Sequence, residues 1–240
     1  MSSTADPRRN LAPLLFIAGA AIGIVPWLHP LNTCQDWLQK WGEQSMHQGW
    51  VAMHQLAMAG FATVALVGIF LPMLGGRSWY SLLGGAGFCS GFLIHANTVL
   101  SHSTEVSYLA RVYLGSTNAE TRQIMRATAE ALLAYVDGAW RIAAVMVTGG
   151  GILLMFALYR EGVLSRSVTA LTMLLSSVWA AQSLGIIRRI FGAPIPEIYH
   201  WLFLTAWFFV LGIALIYPHR AAVKDDAPIG DHISATPAVE

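Results

Sequence analysis

Charged residues divide the chain into stretches that are long enough to cross a membrane. A helix rises about 1.5 Å per residue, so roughly 20 mostly apolar residues span the ~30 Å hydrocarbon core of a bilayer. Six stretches of 26, 33, 27, 18, 21 and 22 residues contain no Asp, Glu, Lys or Arg. They cover residues 10–35, 44–76, 78–104, 142–159, 167–187 and 198–219. This pattern predicts six transmembrane helices.

The predicted fold is all-α, a polytopic integral membrane protein built as a bundle of six transmembrane helices. Residues 11–218 form one transmembrane domain in this interpretation, preceded by a polar N-terminal tail at 1–10. The C-terminal tail, 219–240, has a polar and proline-containing composition that predicts disorder. The spans are expected at about 11–29, 49–74, 79–101, 138–158, 167–188 and 199–218.

The two longest connections, 30–48 and 102–137, are expected on the side of the membrane opposite the termini. The first contains tryptophans at helical spacing, and the second contains a Thr117-x-x-Glu120 capping box followed by apolar positions at helical spacing. Helices of this composition suit the membrane surface, where tryptophan is favoured. We therefore expect two interfacial amphipathic helices on that side.

The composition agrees with a membrane location and argues against nucleic-acid binding. Hydrophobic residues make up 55% of the chain and charged residues 11%, whereas soluble domains carry about 25% charged residues. A net charge of +1 provides no basic field for nucleic acid.

The two sides of the membrane carry equal numbers of Lys and Arg in the predicted topology, but those on the side of the termini occupy shorter segments. The positive-inside rule then predicts both termini in the cytoplasm, and we expect a bacterial inner membrane with its lipids as surroundings.

Most histidines fall at one predicted end of the bundle, opposite the termini. His47 and His54 are seven residues apart, as are His95 and His102, so each pair lies on one helix face. A stripe of three glycines on the predicted third span continues into His95 and His102. Because small residues let helices approach closely, this stripe should face the bundle. The six histidines at this end are His29, His47, His54, His95, His102 and His200.

Ionisable residues near the same depth predict a polar pocket. Asp137 and Arg141 are four residues apart and can pair across one helical turn. Ionisable groups inside a membrane are costly unless they are paired or hydrated. A pocket that opens on the side opposite the termini would satisfy them together. The other charged residues expected at this depth are Glu105, Arg188, Arg189 and Glu197.

These features favour a membrane-embedded metal- or haem-binding protein that is redox-active toward a lipid-soluble partner such as a quinone. Imidazole binds Cu, Fe and Zn, and axial histidine holds haem iron. His54 and His95 lie at similar predicted depth on two helices joined by a tight hairpin. We expect this pair to bind the cofactor, either haem b or a transition metal (Cu or Fe). The full set of candidate metal ligands is His47, His54, His95, His102 and His200.

Three charged residues are expected to act beside these ligands as catalytic or proton-handling groups. They are Asp137, Arg141 and Glu105.

Two other functions remain open at this point. In a small-solute transporter, Arg141, Arg188 and Arg189 would attract an anion. A non-catalytic accessory subunit would instead use its surface helices to bind other membrane subunits. Histidines at span ends also suit the lipid headgroup region without binding any cofactor.

Overall fold

The computed structural model describes residues 7–25, 36–76, 78–192 and 197–217, and every regular element in these ranges is helical. A 3-10 turn at Leu71–Met73 follows the third helix, and a π-helical turn at His102–Val106 joins the fourth helix to the fifth. The expected C-terminal tail and His29 lie outside the described residues. The helices are α1 (Pro7–Gly23), α2 (Trp37–Ser45), α3 (Gln48–Phe70), α4 (Trp79–Ser101), α5 (Ser107–Gly115), α6 (Ala119–Arg160), α7 (Arg166–Ser183), α8 (Ile186–Phe191) and α9 (Glu197–Ile216).

Helices α1, α3, α4, α6, α7 and α9 form a closed ring. Each packs against the next in this order, and α9 returns to α1. Aromatic side chains fill the centre, with the ring centroids of Phe88 and Trp207 5.6 Å apart and those of Phe61 and Phe92 6.0 Å apart. All four side chains are fully buried. The short helices α2 and α5 pack together beside the ring, and α5 also contacts α6.

Four helical segments are long and apolar enough to cross a membrane. The outer surface of the ring is also apolar, since Leu82, Leu93 and Ile142 are 59%, 53% and 60% exposed. Large exposed apolar surfaces are typical of contact with lipid or a partner rather than with water. The chain is therefore described as a membrane protein. The four segments are Gln48–Met73, Trp79–Gly115, Ala119–Arg160 and Tyr199–Ile216.

The expected first and fifth spans are less clear than these four. Asn10–Gly23 is apolar but short, and the rest of the expected first span lies beyond residue 25, outside the described ranges. Helix α7 has 18 residues, but its serine, threonine, arginine and glutamine side chains make it less apolar. Six spans therefore stay a prediction, and so does the interfacial location of the surface helices.

Helix α6 differs from the expectation of a connection followed by a separate span. It is a single helix of 42 residues, which corresponds to about 63 Å and roughly twice the hydrocarbon thickness. Its start also differs: Asn118, rather than the expected Thr117, is the N-cap. The Asn118 side-chain oxygen accepts hydrogen bonds from the backbone N–H groups of Glu120 and Thr121 at 2.8 and 3.2 Å. Asparagine is among the strongest N-cap residues.

The glycine stripe of α4 packs directly against α6. A Cβ atom added at Gly84 would lie 2.6 Å from the backbone nitrogen of Leu154, and one added at Gly91 would lie 2.8 Å from that of Val147. Residues without a side chain permit backbones to approach this closely. The contact sets the rotation of α4, so the continuing stripe carries His95 into the interior, where it is fully buried.

Candidate functional site

A cavity of about 600 Å³ occupies one end of the ring, where α4 and α7 end and where α3 and α9 begin. Cavities of this size accommodate small organic ligands, and their walls are mostly apolar with a few polar groups. Three histidines, three tryptophans and one carboxylate line this one. The lining residues are Val25, Trp41, His54, Ala57, Thr98, Val99, His102, Leu133, Val136, Asp137, Trp140, Gln182, Ser183, His200 and Trp201.

Two of the cavity histidines belong to a cluster of four rings. The ring centroid of His54 lies 4.4 Å from that of Trp50 and 6.2 Å from that of His102. The Trp41 centroid lies 4.5 Å from His102 and 5.1 Å from Trp50, which closes the cluster. His54 Nδ1 donates a hydrogen bond to the carbonyl oxygen of Trp50 at 2.9 Å. This bond fixes the orientation of the His54 ring and places its lone pair on Nε2.

The third cavity histidine, His200, lies at the start of α9 and is 7% exposed. The indole Nε1 of Trp179, a fully buried residue of α7, donates a hydrogen bond to His200 Nε2 at 2.9 Å. Trp140 of α6 packs beside the same imidazole, with ring centroids 5.8 Å apart. Three helices thus hold His200 in the cavity wall.

His95 lies behind this wall and does not line the cavity. It is fully buried, and its ring centroid is 4.1 Å from that of Trp140, 5.3 Å from that of Trp179 and 5.3 Å from that of Phe61. Neither ring nitrogen has a hydrogen-bond partner among the described residues. The structure therefore places His54 with His102 in the wall, whereas His95, the expected partner of His54, occupies an aromatic cage beneath it.

Two other residues singled out from the sequence lie away from the cavity. His47 is exposed as the N-cap of α3, and Glu105 is exposed in the π-helical turn. Within the described ranges, no group of three or more His, Cys, Asp or Glu side chains is placed to hold a metal ion. The hypothesis of a multi-histidine metal centre therefore gains no support from the arrangement.

The expected ion pair on α6 is present. Arg141 Nη2 lies 2.6 Å from Asp137 Oδ2, and about half of each side chain is exposed. Asp137 also forms part of the cavity wall. Arg188 and Arg189 are exposed on α8, and the side chain of Glu197 lies outside what the structure describes.

A charged cluster around Asp36 connects the surface helices at this end. The Tyr113 hydroxyl donates a hydrogen bond to Asp36 Oδ2 at 2.9 Å, and Arg126 Nη2 donates one to Asp36 Oδ1 at 2.9 Å. Arg122 Nη2 lies 3.8 Å from Asp36 Oδ2, and its guanidinium stacks 4.3 Å above the Tyr113 ring. One carboxylate thus joins the start of α2 to both α5 and α6.

The surroundings of Asp36 favour its charged form. Burial raises the pKa of the carboxyl, but the Tyr113 hydroxyl, the Gln39 backbone N–H and the guanidiniums of Arg126 and Arg122 outweigh this effect. The pKa of Asp36 therefore lies below its ordinary value. At neutral pH the Asp36 carboxylate is therefore negatively charged and attracts the guanidiniums of Arg122 and Arg126.

Helix α2, fastened in this way, supplies part of the cavity wall. Its Trp41 is 3% exposed, and the indole Nε1 donates a hydrogen bond to Ser107 Oγ at 3.1 Å. The motifs and spacings of the sequence do not single out Asp36. A signal was available, because Asp36 is the lone charged residue between Arg9 and Lys40.

Comparisons with protein-family models, with curated proteins and with solved structures each give no match to this chain.

Proposed function

We propose that this membrane protein binds a planar, lipid-soluble molecule of the quinone class in the cavity at the end of the helix ring. The observation that carries the proposal is the wall itself, in which three indoles and three imidazoles surround about 600 Å³. Flat aromatic side chains suit a flat ring, and a few polar groups in an apolar wall orient a ligand.

The polar groups of the wall are chemically suited to binding the oxygen atoms of a quinone or quinol and to exchanging protons with them. Imidazole can donate or accept a proton as a general acid or base. His54 and His200 both line the cavity, on α3 and α9, and the carboxylate of Asp137, about half exposed, forms another part of its wall. The outer surface of the helix ring is apolar, so a molecule dissolved in the bilayer can contact the protein without first passing through water.

The test is a titration of the detergent-purified protein with a decyl-tailed benzoquinone, followed by thermal unfolding. A ligand that binds the native state raises the Tm as its concentration exceeds the Kd. We expect Ser183→Phe, which adds a ring at the cavity wall, to abolish the shift. Ser177→Phe is the matched control, because Ser177 is exposed on the same helix. A Tm that does not change with quinone in the unmodified protein overturns the proposal.

A second candidate is that the cavity binds haem or a single transition metal, as the histidine pattern favours. Its support is the His54–His102 pair, whose ring centroids are 6.2 Å apart. Hydrogen bonding of Nδ1 to a carbonyl, as in His54, is also the usual way to orient a metal-binding histidine. Purified protein would be examined by visible absorption and elemental analysis.

This candidate requires that His54→Ala and His102→Ala lose the metal or the haem band, while His47→Ala retains it. His47 is the control because it is exposed and lies outside the cavity wall. A folded protein with neither a Soret band nor bound metal rejects the candidate. The transporter and accessory-subunit alternatives stay predictions.

A further inference from the structure

We infer that His200 is the hydrogen-bond donor that recognises a carbonyl oxygen of the ligand, and that Trp179 is the positioning residue that keeps this donor available. The identity of the ligand group rests on the proposed function. The state of His200 does not, because it follows from the Trp179 contact alone.

The contact with Trp179 fixes the tautomer of His200. An indole N–H can donate a hydrogen bond but cannot accept one. Since Trp179 Nε1 lies 2.9 Å from His200 Nε2, Nε2 must be the acceptor and must carry the lone pair. In the neutral imidazole the proton then resides on Nδ1.

The Nδ1–H of His200 has no acceptor among the described residues. Within the described part of the chain, the Trp179 contact is the one hydrogen bond formed by the His200 ring. His200 lines the cavity beside Trp140 and Trp201, whose rings cannot accept a strong hydrogen bond. An N–H group in an apolar wall is costly when it has no acceptor. A ligand carbonyl is a suitable acceptor, and a quinone provides two of them.

Trp179 controls the hydrogen-bonding state of His200 although it does not itself line the cavity. It is fully buried in the ring, so its N–H direction is fixed by packing. Without that donor, the His200 proton could move to Nε2, and Nδ1 would become an acceptor that repels a carbonyl oxygen. Trp179 thus selects the ligand group through the tautomer of its neighbour.

The tautomer is tested by ¹⁵N NMR of the histidine ring nitrogens in labelled protein, with His200→Asn used to assign the resonances. We expect the His200 signals of the Nδ1–H form in the unmodified protein. In Trp179→Phe, which keeps an aromatic ring but removes the donor, we expect a shift toward the Nε2–H form. An Nε2–H signature in the unmodified protein, or identical signals in Trp179→Phe, overturns the inference.

The recognised group is tested by comparing decyl-benzoquinone with decylbenzene, which has the same tail and ring size but no carbonyl. We expect the unmodified protein to prefer the quinone by on the order of tenfold, the ratio that a single well-formed hydrogen bond supplies. His200→Leu should lose the preference. His200→Asn should retain most of it, because its amide N–H can replace Nδ1–H.

The outcomes separate this inference from the proposed function. If both compounds bind equally well, or if His200→Leu retains the preference, carbonyl recognition by His200 is wrong while ligand binding stands. If neither compound binds, the proposed function and the recognised group fall together, and the NMR measurement still decides the tautomer. Because His200→Leu and His200→Asn leave Trp179 in place, the binding test holds even where Trp179→Phe fails to fold.

Discussion

The glycine-packed part of the helix ring and its cavity end are built on opposite principles. Where α4 meets α6, Gly84 and Gly91 bring two backbones into contact and leave no room for a methyl group. At the cavity end, large rings meet edge to face around open space, and His95 is buried with both nitrogens unpartnered among the described residues. The first arrangement maximises packing, whereas the second keeps polar groups that packing alone would not favour. Such locally unfavourable features are concentrated at functional sites.

The largest expected effect comes from breaking the close helix contact. In Gly84→Ala the new methyl would lie 2.6 Å from Leu154 N and 2.9 Å from Gly150 O, so two backbones must separate. We expect a loss of about 2–3 kcal/mol in the free energy of unfolding, a typical cost of overpacking. The measurement is unfolding by denaturing detergent.

Gly149→Ala is the matched control for this substitution. A Cβ atom at Gly149 would meet no atom of the described residues within 4 Å, so the higher helix propensity of alanine should stabilise α6 by up to about 1 kcal/mol. Equal effects of the two substitutions would contradict the assignment of Gly84 to a tight contact.

The next effect has the opposite sign and concerns the cavity end. In His95→Leu, an apolar side chain of similar size replaces an imidazole whose two nitrogens have no hydrogen-bond partner among the described residues. We expect the protein to become more stable by about 1–2 kcal/mol, because a buried unsatisfied polar group is removed. The same unfolding assay measures it. His54→Leu is the control and should give no such gain, since His54 Nδ1 donates to the Trp50 carbonyl. A marked loss of stability in His95→Leu would show that its nitrogens have partners.

A smaller loss is expected when the charged cluster around Asp36 is weakened. Asp36→Asn removes the negative charge that faces Arg126 and Arg122. The cluster is partly exposed, so we expect about 1 kcal/mol rather than the larger value of a buried pair. Glu43→Gln removes the same charge from an exposed position on α2 and should have little effect. Equal losses in both variants would mean that overall charge, and not the cluster, is responsible.

The pH dependence of this contribution follows from the lowered pKa of Asp36. Its folded state holds the proton more weakly than the unfolded chain does, so stability falls as the pH falls. The contribution is fully present above the unfolded pKa of about 3.9 and is lost as the pH drops through the lower, folded value. The unmodified protein should therefore lose its advantage over Asp36→Asn in acid. An advantage that persists at the acid extreme would reject the assignment.

The smallest effect is expected from Tyr113→Phe. This variant removes one hydroxyl donor to Asp36 but keeps the ring beneath the Arg122 guanidinium. We expect a loss of about 0.5 kcal/mol, at the low end for one hydrogen bond. Combining it with Asp36→Ala, which removes both acceptor oxygens, should add almost nothing to the loss caused by Asp36→Ala alone, because the hydroxyl then has no carboxylate to bind. Full additivity in this double-mutant cycle would contradict the contact.

The features that sequence analysis predicted correctly are local ones. The helical character of 37–45, the i, i+4 pair of Asp137 and Arg141, and the inward glycine stripe all depend on spacing within a single helix. Four of the expected spans are long and apolar enough to cross a membrane for the same reason. Spacing within a helix and the length of an apolar stretch are both read from consecutive residues, and neighbouring helices do not change them.

The features that the sequence pattern left open involve contacts between helices or the exact position of a helix end. His47 is exposed because α3 begins at Gln48, which leaves His47 as its N-cap. His54 Nδ1 donates a hydrogen bond to the Trp50 carbonyl oxygen, and the His54 ring packs near that of His102 in the cavity wall. The His95 ring packs against Trp140, behind that wall. Depth along a helix therefore did not identify which histidines share a site.

By itself the sequence determined an all-helical chain with apolar spans, because charge-free length and helical spacing are properties of consecutive residues. Only the tertiary structure decided that Asp36 meets Arg126, 90 residues away, and that Trp179 donates to His200, 21 residues away. These contacts depend on how several helices rotate and approach at once. That arrangement follows from the combined packing of side chains on all of them, which no single periodicity encodes.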